Sequence, residues 1–418
     1  MLSGAVGRSR ARIALALVAV TLGCGAGVSA QATGLIRVGV LLPLSGGDAA
    51  IGREADAGCA LAWQEAGLEA AGRRVDLILE DTESLAGAAL AKSRKLVERD
   101  KVHLLLAVVL SDAVYALASY VDTQAIPTVL PVDSADDLTQ RRRSKWLVRI
   151  GSSASAAMHP FGEYAARTLG YTKVATVGLD DATGWATVGG FHRTFEEAGG
   201  RIIRKAWIPL DALDHAPYVS GIGRDADALF ASAEGAAAVR FMRAYAQAGL
   251  AGAVPLLASG SFTDERVLPQ LGDEAIGVVS AHHYSAALDT PANRRFRAVF
   301  EKAHHRPPSS YAEGCYTAVR LIADAVRAIA GRVEDRPALI GALRTAELAD
   351  APRGPIRMEL DGSPVQNVYI RTVTRVGGRL ENTILFTYPD VGQFWSFAPE
   401  EFLKRPAYSR DVPPCGHC

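Results

Sequence analysis

The feature that most constrains this chain is an alternation of short apolar runs with amphipathic segments of helix length. "LIRVGVLL" is followed by a helical pattern over 51–71, "RVDLILE" by one over 86–99, and "VHLLLAVV" by one over 111–123. "IPTVLP" and "KWLVRI" complete this series of apolar runs. Buried strands that alternate with helices form βαβ units around a parallel sheet, so the sequence predicts an α/β protein.

The pattern starts afresh after Ile150, which indicates a second lobe. This series contains the predicted strands "KVATVGL", "RIIRKAWI", "DALFASA" and "AVPLLAS", with helices between them. After Gly277, two long helices precede "GPIRMELDG" and "NVYIRTVTRV", which we expect to be antiparallel strands. Too few strands remain for a third domain, so this part should complete the first two. The prediction is lobe one at 34–150 plus 281–360, lobe two at 151–280 plus 361–389, and a C-terminal tail at 390–418.

The first thirty residues differ from the rest and predict a secretory signal peptide at 1–30. Arginines at 8, 10 and 12 precede the short apolar core Ile13–Val28, and Val28-Ser29-Ala30 supplies the small residues of a cleavage site. The predicted location of the mature protein is therefore the periplasm. The alternative is processing as a lipoprotein anchored at Cys24. No later segment has the apolar length of a membrane helix, so we expect no direct membrane span.

Charge and cysteine content narrow the function classes. The 45 basic and 45 acidic residues balance, which gives no indication of nucleic-acid binding. Cys59 and Cys315 lie on helices predicted to cover lobe one, and they either form a disulfide or remain buried thiols. For the terminal "CGHC", Cys415 and Cys418 are expected to form a disulfide or to lie in a loose tail.

The first strand-to-helix loop, Pro43–Asp48, is glycine-rich but does not have the pattern of a phosphate-binding loop. It lacks both the Lys-Ser/Thr of a P-loop and the G-x-G-x-x-G of a dinucleotide site, and the charge of Asp48 would repel phosphate. Two interpretations remain open. Ser45 and the backbone N–H groups bind a small polar solute, or Ser45 caps the first helix.

Two further strand ends carry polar side chains. Ser111 and Asp112 open one helix, where a cap and an acid both have a structural reason to be, and Asp133 and Ser134 follow the next strand. The carboxyl ends of parallel strands are also where α/β proteins bind ligands. We therefore expect these residues to share one edge of the sheet with Ser45.

Catalytic motifs are absent from the sequence. There is no G-x-S-x-G, no H-E-x-x-H and no paired C-x-x-C metal motif. The doublets His282-His283 and His304-His305 are predicted to face solvent rather than to ligate metal. In "GLDDATGW", Trp185 offers a flat contact surface, and Glu234 ends another strand. The prediction is a non-enzymatic protein with no catalytic residue, metal site or cofactor.

In the order and spacing of its segments, the chain resembles the periplasmic solute-binding proteins of branched-chain amino acid ABC importers, the leucine/isoleucine/valine-binding type. The segments are "VGVLLPLSGGDAAIGREADAGCALAWQEA", "SDAVYALASYVDTQAIPTVLP", "DDATGWATVGGFHRTFEEAGGRII", "PPSSYAEGCYTAVRLIADAVRAI" and "GPIRMELDGSPVQNVYI". The resemblance implies a type I periplasmic binding fold, in which two Rossmann-like lobes are joined by three crossovers and close around one ligand. It also implies the two cleft walls: Ser45, Ser111, Asp112, Asp133 and Ser134 on one, and Thr183, Trp185, Glu234 and Ser259 on the other.

The implied function is a receptor that delivers a small solute to the permease subunits of an ABC importer. The implied solute is an amino acid, an amide or an aromatic carboxylate. The alternative is a ligand-sensing protein of the same fold that acts through a signalling partner. Amino acid binders of this class carry an acid near the position of Ser259-Gly260-Ser261, where this chain has none and Glu234 is the substitute. The acids Asp112 and Asp133 are a second departure from these relatives.

Overall fold

Two β-sheets organise the part of the chain that the structure describes. The computed structural model describes residues 34–108, 113–132, 135–222 and 225–418. The predicted signal peptide and Cys24 lie outside these residues. The six-stranded sheet and the nine-stranded sheet define lobe one and lobe two.

Lobe one contains the six-stranded sheet, in the order β2-β3-β1-β4-β5-β6. Its strands are β1 Ile36–Leu42, β2 Glu69–Ala70, β3 Arg73–Asp81, β4 Leu104–Ala107, β5 Thr128–Leu130 and β6 Leu147–Arg149. All neighbours pair in parallel except β2 and β3. The central strand β4 is apolar throughout because helices cover both faces of the sheet.

Lobe two contains the nine-stranded sheet, in the order β12-β13-β14-β11-β10-β9-β7-β8, with β15 paired to β14. Its strands are β7 Lys173–Leu179, β8 Arg201–Ile208, β9 Ala228–Ser232, β10 Leu256–Ser259, β11 Val279–His282, β12 Glu347–Leu348, β13 Ile356–Met358, β14 Pro364–Val376 and β15 Arg379–Val391. Strands β7 to β11 are parallel, whereas β12 to β15 pair antiparallel with their neighbours. The antiparallel strands predicted in "GPIRMELDG" and "NVYIRTVTRV" are therefore present as β13 and β14.

The α-helices follow the strands, as the sequence pattern predicts. They are α1 Ala49–Glu65, α2 Ala86–Arg94, α3 Ala113–Gln124, α4 Met158–Arg167, α5 Ala182–Glu197, α6 Ala216–Val219, α7 Gly235–Gln247, α8 Pro291–His304, α9 Ser310–Ala328, α10 Arg336–Arg344 and α11 Pro399–Lys404. A π-helical turn at Lys95–Arg99 extends α2, and short 3-10 turns lie at Asp136–Leu138, Gly260–Thr263, Leu268–Gln270 and Asp273–Ala275. None of the described helices is both long and apolar enough to cross a membrane.

The chain passes between the lobes three times. It leaves lobe one after β6, returns after β11 to add α8, α9 and α10 to the lobe-one core, and leaves again to form β12 to β15. Strands β12 and β13 lie within 281–360, the range predicted for lobe one, but they pair in the lobe-two sheet. Their apolar side chains still join the lobe-one core, so they lie at the junction of the two lobes.

Helices α1 and α9 pack closely within lobe one because glycine lies at their contact. A Cβ at position 58 would lie 1.9 Å from the carbonyl oxygen of Ala312, so only glycine fits there. The neighbouring Cys59 and Cys315 are buried free thiols, one of the two arrangements that the sequence left open. Burial and the hydrogen bond to Cys59 raise the pKa of the Cys315 thiol well above its usual value.

Beyond β15 the chain forms an irregular segment, and from here "the tail" means residues 392–418. The tail contains α11 and ends in the disulfide Cys415–Cys418, whose Cα atoms are 5.5 Å apart. The Cys415 sulfur contacts the carbonyl oxygen of Ile202 at 3.3 Å. The end of the chain is therefore fastened to β8 of lobe two.

Candidate functional site

A cavity of about 350 Å³ lies between the two lobes, and we call it the cleft. Pro131 and Val132 line it just after β5, and Asp181 and Glu234 line it after β7 and β9. His282 lines it at the end of β11. The cleft thus lies at the carboxyl ends of the parallel strands, where open α/β sheets bind ligands, and its volume suits a small molecule.

The four residues predicted on the second wall all line this cleft. Thr183 and Trp185 lie in the first turn of α5, Glu234 directly precedes α7, and Ser259 ends β10. The start of α5 is held by Asp181, whose carboxylate accepts a hydrogen bond from the Gly184 N–H at 2.7 Å. This cap sets the direction in which the first turn presents its side chains to the cavity.

The indole of Trp185 is held in one orientation. Its Nε1 donates to Asp180 Oδ1 at 2.9 Å, and the other carboxylate oxygen accepts from Arg410 of the tail at 2.6 Å. An anchored aromatic ring contacts a ligand with little loss of side-chain entropy. Trp185 is therefore a rigid surface on the lobe-two wall.

Glu234 and Tyr311 join the two walls across the cleft. Tyr311, at the start of α9 in lobe one, donates its hydroxyl to Glu234 Oε2 at 3.1 Å. The Arg266 guanidinium lies over the Tyr311 ring, 4.4 Å from its centre. The Glu234 side chain is exposed to the cavity, and partial removal from bulk water between the lobes raises the pKa of its carboxyl.

A second contact between the lobes lies beside the first. Ser310 donates its hydroxyl to Asp264 Oδ2 at 2.7 Å, and Asp264 Oδ1 accepts from Arg266 Nε at 3.0 Å. Burial alone would raise the pKa of the Asp264 carboxyl, but Arg266 and the Ser310 hydroxyl outweigh it, so that the pKa is lowered. Asp264 is thus held as a carboxylate by partners from both lobes.

The predicted solvent exposure of the His282-His283 doublet is wrong. Both histidines line the cleft, and their rings lie 4.1 Å apart, because they end a strand that the sequence analysis did not recognise. His282 fits because Gly260 opposes it, where a Cβ would lie 2.1 Å from the ring carbon Cδ2. Burial, together with Arg371, lowers the pKa of His282 to about 3, so the imidazole is neutral. In the other doublet, His305 is exposed, as predicted.

Ser45 lies outside the residues that line the cleft. Its hydroxyl donates to Asp81 Oδ2 at 2.6 Å, and its backbone N–H donates to Oδ1 of the same carboxylate at 3.2 Å. It does not cap α1 either, because that helix begins after Asp48, which itself lines the cleft. The glycine loop therefore folds back onto β3 through Ser45 and presents Asp48 to the cavity.

The remaining lobe-one predictions cannot be compared with the structure. Ser111, Asp112, Asp133 and Ser134 lie outside the described residues. The lobe-one residues that the structure does place at the cleft include Tyr115, Asp136 and Tyr311. Sequence reasoning missed these, although Tyr311 lies in the first turn of α9, directly after the polar residues Ser309 and Ser310.

The chemistry of the cleft is that of binding. Four aromatic side chains line it, namely Tyr115, Trp185, Tyr311 and Tyr408. Among the residues that the structure describes, no three His, Cys, Asp or Glu side chains come together as a metal site requires. A flat apolar body can pack on the rings while polar groups of a ligand meet the acids, the serines or Arg141.

Comparison with known proteins places this fold and cleft in a family. A family model described as periplasmic binding protein matches residues 35–378. The substrate-binding protein of an ABC transporter from Sphaerobacter thermophilus is 33% identical, with a TM-score of 0.83 over 87% of this chain and 100% of that one. A solute-binding protein of an ABC transporter from Rhodopseudomonas palustris BisB5, in complex with 3,4-dihydroxybenzoic acid, is 29% identical, with a TM-score of 0.81 over 86% of this chain and 98% of that one.

A curated relative agrees with these structures. A Leu/Ile/Val-binding protein homologue from Brucella melitensis biotype 1 is 27% identical over 354 residues, which are 83% of this chain and 90% of that protein. The family match covers the lobe-one sheet, the lobe-two sheet as far as β14, and most of the residues that line the cleft. This chain therefore belongs to the periplasmic binding protein family, whose members found here are substrate-binding proteins of ABC transporters.

Proposed function

We propose that this protein is a periplasmic receptor that binds one small aromatic carboxylate and releases it unchanged to an ABC importer. The single observation that carries the ligand class is the set of four aromatic side chains that line a 350 Å³ cleft. The dihydroxybenzoate complex of the Rhodopseudomonas relative supports the same class. The ring hydroxyls of dihydroxybenzoate can donate hydrogen bonds, which the carboxylates of this cleft can accept.

Closure of the lobes is the step that the receptor contributes. Tyr311 with Glu234, and Ser310 with Asp264, are contacts that join lobe one to lobe two at the cleft. A ligand that touches both walls favours the closed arrangement by its contacts to each of them. The permease would then distinguish the loaded from the empty receptor by whether the two lobes are closed or open.

We also propose the residues that complete the lobe-one wall. Ser111, Asp112, Asp133 and Ser134 are the candidates because their strand ends lie on the same side of the sheet as Val132, which lines the cleft. Ser111→Ala and Asp133→Ala should each weaken solute binding. Neither change should lower the melting temperature of the unliganded protein.

Binding is tested by thermal shift and calorimetry of the purified protein with benzoate, 3,4-dihydroxybenzoate, leucine, isoleucine, valine, urea and acetamide. An aromatic acid at a hundred times its Kd should stabilise the protein by about 2.7 kcal/mol. Trp185→Leu should abolish this shift. The matched control is Trp207→Leu, since Trp207 lies on β8 and does not line the cleft. Leucine, isoleucine or valine as the best ligand would refute the aromatic class.

Export and delivery are tested separately. The proposal expects the N-terminus of the mature protein directly after Ala30 and the protein in the periplasmic fraction. A lipid-modified N-terminus at Cys24 would place it at the membrane instead. Solute-dependent stimulation of ATP hydrolysis by its reconstituted importer is the expected sign of delivery.

A further inference from the structure

We infer that the tail forms part of the ligand-binding wall and that Tyr408 is a specificity-determining residue of the cleft. The inference rests on the proposed function and adds a residue to it. Ala407, Tyr408 and Ser409 line the cavity together with Trp185 and Thr183. These tail residues lie beyond 35–378, the part of the chain that the family model matches.

The ring of Tyr408 is held firmly against lobe two. Its hydroxyl lies 2.8 Å from His159 Nε2, and the Arg193 guanidinium lies 4.7 Å from the centre of the ring. At Gly189 of α5, a Cβ would lie 2.4 Å from Tyr408 Cδ1, so the absence of a side chain makes room for the ring. Three contacts fix the depth to which Tyr408 enters the cavity.

The tail that carries Tyr408 is anchored to lobe one as well. Arg141 donates to the carbonyl oxygens of Phe402 at 3.2 Å and of Arg405 at 2.7 Å. Nearer the start of the tail, the Thr139 hydroxyl donates to Gln393 Oε1 at 2.8 Å. These bonds tie the tail to the loop between β5 and β6, which lines the same cavity through Arg141.

The tail is anchored to lobe two by Phe402, which is 2% exposed and lies 5.1 Å from the guanidinium of Arg193. The segment between Phe402 and Tyr408 is therefore fixed on both sides. Because this segment is held in place, it limits the width of the cavity, whereas a mobile segment would move aside for a larger ligand.

The tail also acts on the second cleft ring. Arg410 binds Asp180, and Asp180 accepts the indole N–H of Trp185. Two of the four aromatic surfaces of the cleft thus depend on the tail, one directly and one through an ion pair. The distance between these surfaces limits the size of solute that fits, so the tail selects among aromatic acids by width.

The test compares benzoate with the wider 3,4-dihydroxybenzoate, using calorimetry on wild-type protein and on Tyr408→Ala. The change should raise the Kd of the more tightly bound probe at least tenfold and alter the ratio of the two Kd values at least threefold. Lys404→Ala is the control, because that exposed tail residue pairs with Glu401 and does not line the cleft. It should leave both Kd values unchanged.

A second variant tests the inference without removing the ring. Gly189→Ala places a methyl group where the Tyr408 ring now packs and moves the ring toward the cavity. It should raise the Kd of 3,4-dihydroxybenzoate more than that of benzoate. Partial unfolding lowers the number of binding sites for both probes equally, so the Kd ratio reports the cavity even if Tyr408→Ala is less stable.

The outcomes separate this inference from the proposed function. If wild-type protein binds an aromatic acid and both variants keep its Kd values and their ratio, the tail is structural only and the inference fails alone. If the wild-type protein binds an amino acid best, the proposed ligand class fails, and the inference then stands only if Tyr408→Ala alters the ratio of the leucine and valine Kd values at least threefold. If it binds none of these solutes, both fail together.

Discussion

Two fully buried arginines, one beside each of the first two lobe crossings, are neutralised in different ways. Arg353 donates Nε to Glu313 Oε2 at 2.7 Å and Nη1 to the carbonyl oxygen of Ile150, where the chain leaves lobe one, at 2.9 Å. Arg371 donates to the carbonyl oxygens of Tyr284, where the chain returns, at 2.6 Å and of Gly260 at 2.9 Å.

The difference lies in the acceptors. The partner of Arg353 is a carboxylate that is as buried as the arginine itself. Arg371 is surrounded by carbonyl and hydroxyl oxygens, including those of Ser280 and Thr263, and the nearby Glu265 has its pKa raised to about 7 by burial and by Asp264. The first crossing thus holds a buried ion pair. The second holds an arginine among neutral acceptors, beside the Glu265 carboxyl, which can take up a proton and become neutral. We expect the first to be the more sensitive to substitution.

The largest effect is expected for Arg353→Met, which leaves the Glu313 carboxylate buried without its cation. The free energy of unfolding should fall by about 3–5 kcal/mol, the usual cost of breaking a buried pair. Urea denaturation at pH 7 measures it. The double variant Arg353→Met/Glu313→Gln should recover part of the loss, and no recovery would contradict the ion-pair account.

Arg371→Met should cost less, about 2–3 kcal/mol, because its hydrogen-bond acceptors are neutral and the nearby Asp264 carboxylate keeps Arg266 as its cation. Loss of the arginine also removes the charge that lowers the pKa of Glu265, so that carboxyl stays protonated and adds no buried charge. The same denaturation experiment applies. A loss greater than that of Arg353→Met would reverse the comparison.

The third prediction concerns pH and Glu265. Its pKa is about 7 in the folded protein against an ordinary 4.5, so the folded state holds this proton more tightly than the unfolded state. Its contribution is full below pH 4.5 and is lost as the pH rises to about 7, on the order of 3 kcal/mol. Glu265→Gln should remove this decline. Glu69→Gln, an exposed carboxyl on β2, is the control and should retain it.

The smallest effects separate the hydroxyl groups at the two crossings. Thr317 donates to Glu313 Oε1 at 2.6 Å, whereas Ser280 accepts from Arg371 Nη2 at 3.2 Å. Both hydroxyls bond a charged group, but the Thr317 bond is short and the Ser280 bond is long, so Thr317→Val should cost about 2 kcal/mol and Ser280→Ala about 1 kcal/mol. Equal losses would show that the two sites do not differ at this level.

Strands that are separated from the next strand by a helix are the part of the fold that the sequence predicts best. The ranges predicted for β7 and β8, 173–179 and 201–208, are those of the structure. Strand β11 was missed because it is only four residues long and ends in histidine. Strand β15 was missed because it pairs only with β14 and mixes polar with apolar residues.

The residues that line the cleft also fall into a predicted set and a missed set. The resemblance implied Thr183, Trp185, Glu234 and Ser259, and these residues line the cavity because they lie at or just after the ends of strands in one parallel sheet, whose ends share an edge. Tyr311 and Tyr408 come from a late helix and from the tail, and no local pattern relates them to those strands. The buried arginines are equally hidden in the sequence, because arginine is usually exposed and only its tertiary partners explain its burial.

The return of the chain to lobe one has a consequence for when each lobe can fold. The core around β1 is completed by α8, α9 and α10, which are synthesised after the whole parallel part of the lobe-two sheet. The lobe-two sheet is likewise incomplete until β14 and β15 have been synthesised. Since each lobe needs segments from the last third of the chain, neither can close early on the ribosome. For the export proposed above this order is an advantage, because premature folding would block passage of the chain across the membrane.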